Sequence, residues 1–333
     1  MHRTFARLVA VVLACAALTN AVRADTVYVI SRSTGGLFRF DSADPNGTMT
    51  TVAPLGTFST PEAMALGPDG HLYIGESGVS FGSNRIVRYV IATGSVSEVT
   101  TLGTIPGAIA FKPGPAGAML IGRNPFPQAV GQVLQVTGWN GGSPVVSNFT
   151  SGTNLDATSS PGLAVAQDGA VYVSSSVYTG LGGSLTGTVL KFGAAGNYLG
   201  TVASTGTPGD YGPAGLVLNG STLFSASVQD GKIYTTDLSG PTTSVFGAAP
   251  FGFEVGPLAQ LSDGNLLAGS VSGFTDSVYR FGNGGTLLTS ITNSGFGQIS
   301  GIVAVPEPSS LVLAGLGCAL AVGVRRWQRR LQR

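Results

Sequence analysis

Charged side chains are scarce in this 333-residue chain, because only 10% of its residues are Asp, Glu, Lys or Arg, against about a quarter in a typical soluble protein. Between Asp25 and Val305 there are nine basic and fifteen acidic residues, a net charge of −6. No basic stretch is left there to follow a phosphate backbone, which argues against a nucleic-acid partner. The 43% of hydrophobic residues still suffice for a large core, which argues against disorder.

Cysteine and histidine are equally scarce. The two cysteines, Cys15 and Cys318, fall in the apolar segments near the two chain ends, so the region between them cannot hold a disulfide framework. Beyond residue 2 the only histidine is His71. Residues 78–82 match the G-x-S-x-G pattern of hydrolases around Ser80, but that pattern works at a strand-to-helix elbow with a histidine base. Here it falls in a glycine-rich loop, which argues against a catalytic serine.

The N-terminus has the three parts of a secretory signal peptide. Residues 1–7 form a basic start, residues 8–18 are apolar, and Ala24 ends a small-residue cleavage site. We therefore predict cleavage after Ala24 and export of the remainder. An alternative uses Cys15 as the lipid-modified cysteine of a lipobox, although the leucine at the second position of that box fits poorly.

The C-terminus carries three consecutive features. A helix-excluding run, Val305-Pro306-Glu307-Pro308, is followed by fourteen uncharged residues that begin at Leu311 and end at Val324. After them comes a cluster of arginines that includes Arg325, Arg326, Arg329 and Arg330. As a helix, the uncharged run rises only about 21 Å, less than the roughly 30 Å of a bilayer core. It predicts a single short transmembrane helix, extended by snorkelling arginines that stay on the cytoplasmic side.

Together these features resemble the PEP-CTERM sorting tail of bacterial exported proteins. The resemblance implies an exosortase-type membrane peptidase as partner, a precursor anchored in the membrane by the C-terminal helix, and delivery to the cell surface or a biofilm-like extracellular matrix. We expect processing near Pro306-Glu307-Pro308. The alternative is that the tail remains as a simple membrane anchor. The chain thus divides into a signal peptide (1–24), a central domain (25–305) and a sorting and anchor segment (306–333).

The central domain is a repeat array. A strand-like apolar-apolar-polar-apolar element recurs about every 48 residues, a period and pattern typical of four-stranded propeller blades. Its six copies begin at Leu37, Ile86, Val133, Val189, Ile233 and Val278.

A hairpin pattern precedes most copies of that element. Its turns are Asp69-Gly70, Asp168-Gly169, Asn219-Gly220 and Asp263-Gly264, pairs that suit a tight two-residue hairpin. Residues 302–305 form a first strand with no partner after it, and residues 25–30 form a second strand with no partner before it. Joined, they complete a sixth blade and remove two exposed sheet edges. The sequence therefore predicts an all-β, six-bladed propeller with a split closing blade.

The blades resemble the NHL, streptogramin-lyase and gluconolactonase-like propellers, most clearly over residues 61–73, which read PEAMALGPDGHLY. For a lactonase, the resemblance implies a metal in the central channel, with calcium as the ion of choice for oxygen ligands. The candidate ligands are Glu62 and Glu254, just before inner strands, and Asp210, slightly upstream of another. We favour a simpler interpretation of all three as solvated loop acids or partners of backbone N–H groups, with no cofactor.

Two classes of function remain for the domain. One is a non-catalytic surface or matrix protein whose propeller binds exopolysaccharide or another protein, aided by the loop aromatics Trp139, Tyr211, Phe251 and Phe253. The other is a metal-dependent hydrolase of the gluconolactonase-like kind. The low charge, the single histidine and the incomplete ligand set favour the first class. We therefore expect a binding module without catalytic residues.

Overall fold

The computed structural model describes residues 24–78, 84–114, 117–124, 133–150, 162–179, 184–204, 213–240, 242–250, 255–271 and 276–306. The predicted signal peptide up to residue 23 and the sorting segment from Glu307 onward lie outside these residues. The described part consists of strands and turns without an α-helix. None of its residues form a helix with the length and hydropathy needed to cross a membrane.

Twenty-four strands form six antiparallel four-stranded sheets, the blades. Blade 1 contains β24 (Ile299–Pro306), β1 (Asp25–Ser31), β2 (Leu37–Asp41) and β3 (Thr50–Ala53). Blade 2 contains β4 (Pro61–Leu66), β5 (Leu72–Glu76), β6 (Asn84–Tyr89) and β7 (Val96–Leu102). Blade 3 contains β8 (Ile105–Phe111), β9 (Met119–Asn124), β10 (Val133–Thr137) and β11 (Val145–Asn148).

Blades 4 to 6 repeat the same order. Blade 4 contains β12 (Leu163–Val165), β13 (Val171–Thr179), β14 (Ser184–Phe192) and β15 (Tyr198–Ser204). Blade 5 contains β16 (Pro213–Asn219), β17 (Thr222–Ser227), β18 (Lys232–Asp237) and β19 (Thr242–Ala248). Blade 6 contains β20 (Val255–Gln260), β21 (Leu266–Ser270), β22 (Ser277–Phe281) and β23 (Leu287–Thr292). The first strands contact one another in the circle β24, β4, β8, β12, β16, β20 and back to β24, which confirms the predicted six-bladed propeller.

The split blade is also confirmed. β24 pairs antiparallel with β1, and the register places Val305 opposite Thr26 and Pro306 opposite Asp25. The strand is longer than the predicted residues 302–305, because pairing continues through Gly301 and a bulge to Ile299 opposite Ser31. The last strand of the domain is thus held by its first.

Three of the predicted two-residue turns are longer than expected. In the first, Gly67 N–H donates to His71 O, so the loop has three residues and only Gly70 takes a positive φ. The Asp69 carboxylate accepts the His71 N–H at 3.3 Å and the Tyr73 hydroxyl at 2.8 Å. The turns around Asp168 and Asp263 repeat the N–H contact. The aspartates therefore cap a three-residue turn with a left-handed glycine.

The hydrophobic core lies between neighbouring blades, not within any one of them. Where blades 6 and 1 meet, Val29 and Phe40 pack in one cluster with Leu267, Val278 and Ile291. Each of these side chains is almost fully buried. Closing the ring therefore buries apolar surface on both partners, which is the main favourable term in folding.

We predict that a charge placed in this closing interface destabilises the whole domain. Val29→Asp puts an unpaired carboxylate at a fully buried site and should lower the free energy of unfolding by about 4 kcal/mol or more. Thr51→Asp, on the exposed outer strand of the same blade, should change it by less than about 0.5 kcal/mol. Urea unfolding of residues 25–306, followed by Trp139 fluorescence, measures both. Equal stabilities would contradict closure by β1 and β24.

Candidate functional site

The first strands of all six blades line a central channel with a cavity of about 470 Å³. The lining consists of residues 62–64, 107–109, 162–163, 214–216, 256–258 and 298–302, together with Arg32, Val228 and Val271. These segments lie at or next to the starts of the first strands, while Val228 and Val271 directly follow second strands. The cavity therefore belongs to one face of the ring. We call it the mouth face, and we call the opposite face, with the turns between first and second strands, the turn face.

Glycines in the lining bring neighbouring first strands into close contact. A Cβ on Gly162 would lie 1.8 Å from Ala214 O, and one on Gly215 would lie 2.0 Å from Gly256 O. No side chain fits at such distances, so these positions require glycine. This feature was not predicted from the sequence, although a small residue before the first large apolar residue recurs in the first strands.

One ion pair stands at the mouth. Arg32 Nε lies 3.0 Å from Glu62 Oε2, and Arg32 Nη2 donates to Oε1 at 3.1 Å. The Ser77 hydroxyl donates to the same Oε1 at 2.6 Å. The Glu62 side chain is only 6% exposed, against 47% for Arg32. Because the two charges are in bidentate contact, they largely cancel at the channel mouth.

Glu62 is the candidate metal ligand that the structure describes, and its predicted position needs correction. It lies within β4 and not before it, because Pro61 already pairs with Glu76. Both of its oxygens are engaged by Arg32 or Ser77, and Arg32 was not singled out from the sequence. Asp210 and Glu254 lie outside the described residues. Within the described part, no group of three or more His, Cys, Asp or Glu side chains is placed to hold a metal.

The channel wall also offers neutral hydrogen-bonding groups. Each first strand is paired on one side only, so the N–H and C=O groups of its other edge face the channel. Gln298 adds a polar residue to the lining, and Ser300 lies beside it with a buried hydroxyl that has no hydrogen-bond partner among the described residues. The wall is therefore suited to a ligand that donates and accepts hydrogen bonds without net charge.

A ring of polar residues lies toward the mouth-face side of the second strands. Its members are Ser31, Glu76, Arg123, Ser175, Ser227 and Ser270. Four of them are the last residue of their strand, whereas β9 continues to Asn124 and β13 to Thr179. Two members anchor mouth-face loops: Ser31 Oγ accepts Thr34 N–H, and Glu76 Oε1 accepts Ser59 N–H. The signal missed in the sequence is a polar residue after the apolar stretch of each second strand.

Glu76 also holds a basic residue of the same blade. Arg85 Nε contacts its Oε2, and Glu98 lies 3.5 Å from Arg85 Nη1. The hydrogen bond that Arg85 donates to Glu76 raises the pKa of Arg85 above its ordinary value, against the opposing effect of burial. The guanidinium therefore stays charged and fixed. These three residues form a structural network, and Arg85 is therefore not free to bind a ligand.

Of the loop aromatics and the serine that the sequence offered as candidates, the structure describes one, Trp139. Trp139 is not a surface aromatic: it is 5% exposed, stacks edge-on against Tyr73 and Phe111, and donates its Nε1–H to Gly117 O. It packs against Phe111 of its own blade and Tyr73 of the neighbouring blade, contacts that the local sequence does not reveal. Tyr211, Phe251, Phe253 and Ser80 lie outside the described residues.

The sorting segment starts inside the propeller. Residues 304–330 match a protein-family model described as the PEP-CTERM protein-sorting motif. The C-terminal segment is a PEP-CTERM motif. It marks an exported, membrane-anchored precursor that is processed by an exosortase. Its first three residues, 304–306, are the last residues of β24, so the motif overlaps the closing strand and does not merely follow it.

Comparison with solved structures supports the fold. A chain in the crystal structure of a nidogen/laminin complex is 11% identical with a TM-score of 0.66, over 85% of this chain and 98% of that chain. Virginiamycin B lyase from Staphylococcus aureus is 14% identical with a TM-score of 0.54, over 83% of this chain and 86% of that chain. These identities show a shared propeller fold alone. No curated protein matches the chain.

Proposed function

We propose that the exported propeller is a non-catalytic binding module that holds a neutral, hydroxyl-rich ligand at the mouth of its channel. The PEP-CTERM motif brings the domain to the cell envelope, and we propose the cell surface or the extracellular matrix as its final location. The ligand class that we favour is an exopolysaccharide chain.

The observation that carries this proposal is the cancelled charge at the mouth. Arg32 and Glu62 are the charged residues of the described lining, and they are bound to each other. An anionic or cationic ligand would have to break this pair, and separating a mostly buried carboxylate from its partner is costly. A neutral ligand leaves the pair intact and hydrogen-bonds beside it.

The size and polarity of the cavity support the same class of ligand. Its volume of about 470 Å³ lies in the range of about 300–1,000 Å³ that is usual for small-molecule sites. The unpaired edges of the first strands and Gln298 supply donors and acceptors. Apart from Ser300 and the pair of Arg32 and Glu62, the remaining residues of the wall are small or apolar. Sugar rings present both hydroxyls and apolar faces to such a wall.

We predict that Gln298→Ala weakens binding of neutral polysaccharide. The variant loses a neutral hydrogen bond of about 0.5–1.5 kcal/mol, so the dissociation constant should rise roughly two- to tenfold. Titration calorimetry of the domain with soluble dextran and galactomannan measures the change. Asn46→Ala, at an exposed site on the turn face, is the matched control and should bind as the wild type does. Absence of saccharide binding, with a protein ligand found instead, would overturn the choice of polysaccharide.

A metal-dependent hydrolase is the second candidate function. One observation favours it: Glu62 places a carboxylate in the channel, where a lactonase-type metal would lie. Against it, Arg32 and Ser77 already satisfy that carboxylate. Asp210, Glu254 and a calcium ion would be needed to complete the site.

We predict only background turnover of lactones and aryl esters by the purified domain with calcium, zinc or manganese. The reason is that the paired Glu62 is not free to bind a cation. The assay should compare wild type, Glu62→Gln, Glu254→Gln and, as control, Glu98→Gln on an outer strand. Metal-dependent turnover that is lost in the first two variants but kept in the third would promote the hydrolase.

A further inference from the structure

Both ends of the domain leave the propeller at the same place. Asp25 begins β1, Pro306 ends β24, and the two residues are paired with each other. In the other blades a turn between the first and second strands occupies this position, such as the turn at Asp69 and Gly70. The sorting tail therefore leaves from the turn face.

Contacts with blade 6 fix this exit. The Asp25 carboxylate accepts Ser262 N–H at 2.6 Å, and Asp25 N–H donates to Ser42 Oγ at 2.8 Å. Arg280 ties Ser42 O to the Asp263 carboxylate, with both contacts at 2.7 Å. The exit is thus part of a buried junction with the neighbouring turn, and the direction in which the chain leaves is set by the fold.

The channel mouth lies at the other end of the same two strands. Arg32 directly follows β1, Gln298 directly precedes β24, and Arg32 N–H donates to Gln298 O at 2.7 Å. Both residues line the cavity. The eight residues of β24 span about 23 Å at roughly 3.3 Å per residue. The mouth and the tail exit are therefore separated by the full depth of the ring.

The tail is too short to pass around the ring. Only residues 307–310 lie between the end of β24 and Leu311, where the uncharged run begins. Five chain steps reach about 17 Å at full extension. This is less than the depth of about 23 Å that the chain would have to cross, before any sideways path is added.

We infer that the membrane-held precursor presents the mouth face outward and keeps the turn face toward the membrane. The inference rests on the anchoring by the sorting tail and gives the proposed binding site its direction: a ligand approaches from the side away from the membrane. The orientation can be tested without a ligand. The orientation can therefore prove wrong while the proposed binding is right, and the proposed binding can prove wrong while the orientation is right.

The test uses residues 25–333, the precursor after the predicted signal cleavage, in phosphatidylcholine vesicles without exosortase. The cysteine at position 318 is replaced by serine, and one fluorophore is attached through Thr57→Cys on the mouth face or Ala92→Cys on the turn face; both sites are exposed. Lipids that carry a short-range quencher on the headgroup are then added. We expect a loss of emission for Ala92→Cys and retained emission for Thr57→Cys. Equal loss at both sites, or greater loss at Thr57→Cys, would overturn the inference.

A variant with a longer linker tests whether the short length of the tail causes the orientation. Inserting about twelve Gly and Ser residues between Pro308 and Ser309 adds up to about 40 Å of reach. If the short tail sets the orientation, this insertion should make the two labels lose emission to similar extents. A difference that persists unchanged with the long linker would show that the tail length is not the cause and would contradict the argument.

Discussion

The pairing of β24 with β1 is the interaction on which the rest of the structure depends. It joins the two ends of the domain in one sheet, with Val305 opposite Thr26. Through it the interface between blades 6 and 1 is buried, and the first strands complete the circle around the channel. It also carries the start of the PEP-CTERM motif. The closed fold, the channel and the start of the sorting motif thus all depend on the same pair of strands.

Much of this architecture follows from the sequence, because it depends on local patterns. The period of the third strands, the turn glycines and the unpaired strands at the two ends are each readable in a few residues, and they are confirmed. Bounds were less accurate where pairing decided them: β24 begins at Ile299 because a bulge extends its contact with Ser31. The Asp-Gly turns are longer than predicted because the aspartate accepts a backbone N–H.

The site was harder to predict, since its residues are distant in sequence. Arg32 and Glu62 belong to different blades, and only closure of the ring brings them together. The burial of Trp139 against Tyr73 is likewise a contact between blades. A channel whose charges cancel and whose glycines admit close strand contact is a product of the assembled ring. Because the charges at the channel mouth cancel, we propose a neutral ligand.

The central claim is that the closing strand includes the first residues of the sorting motif, so that release must spare β24. Mass spectrometry of the mature protein, taken from the cell surface or the medium, tests this most directly. The account predicts a C-terminus at or beyond Pro306, near Pro306-Glu307-Pro308, because loss of Val305 would remove pairing with Thr26. A C-terminus upstream of Val305, or an intact chain through Arg333, would contradict it.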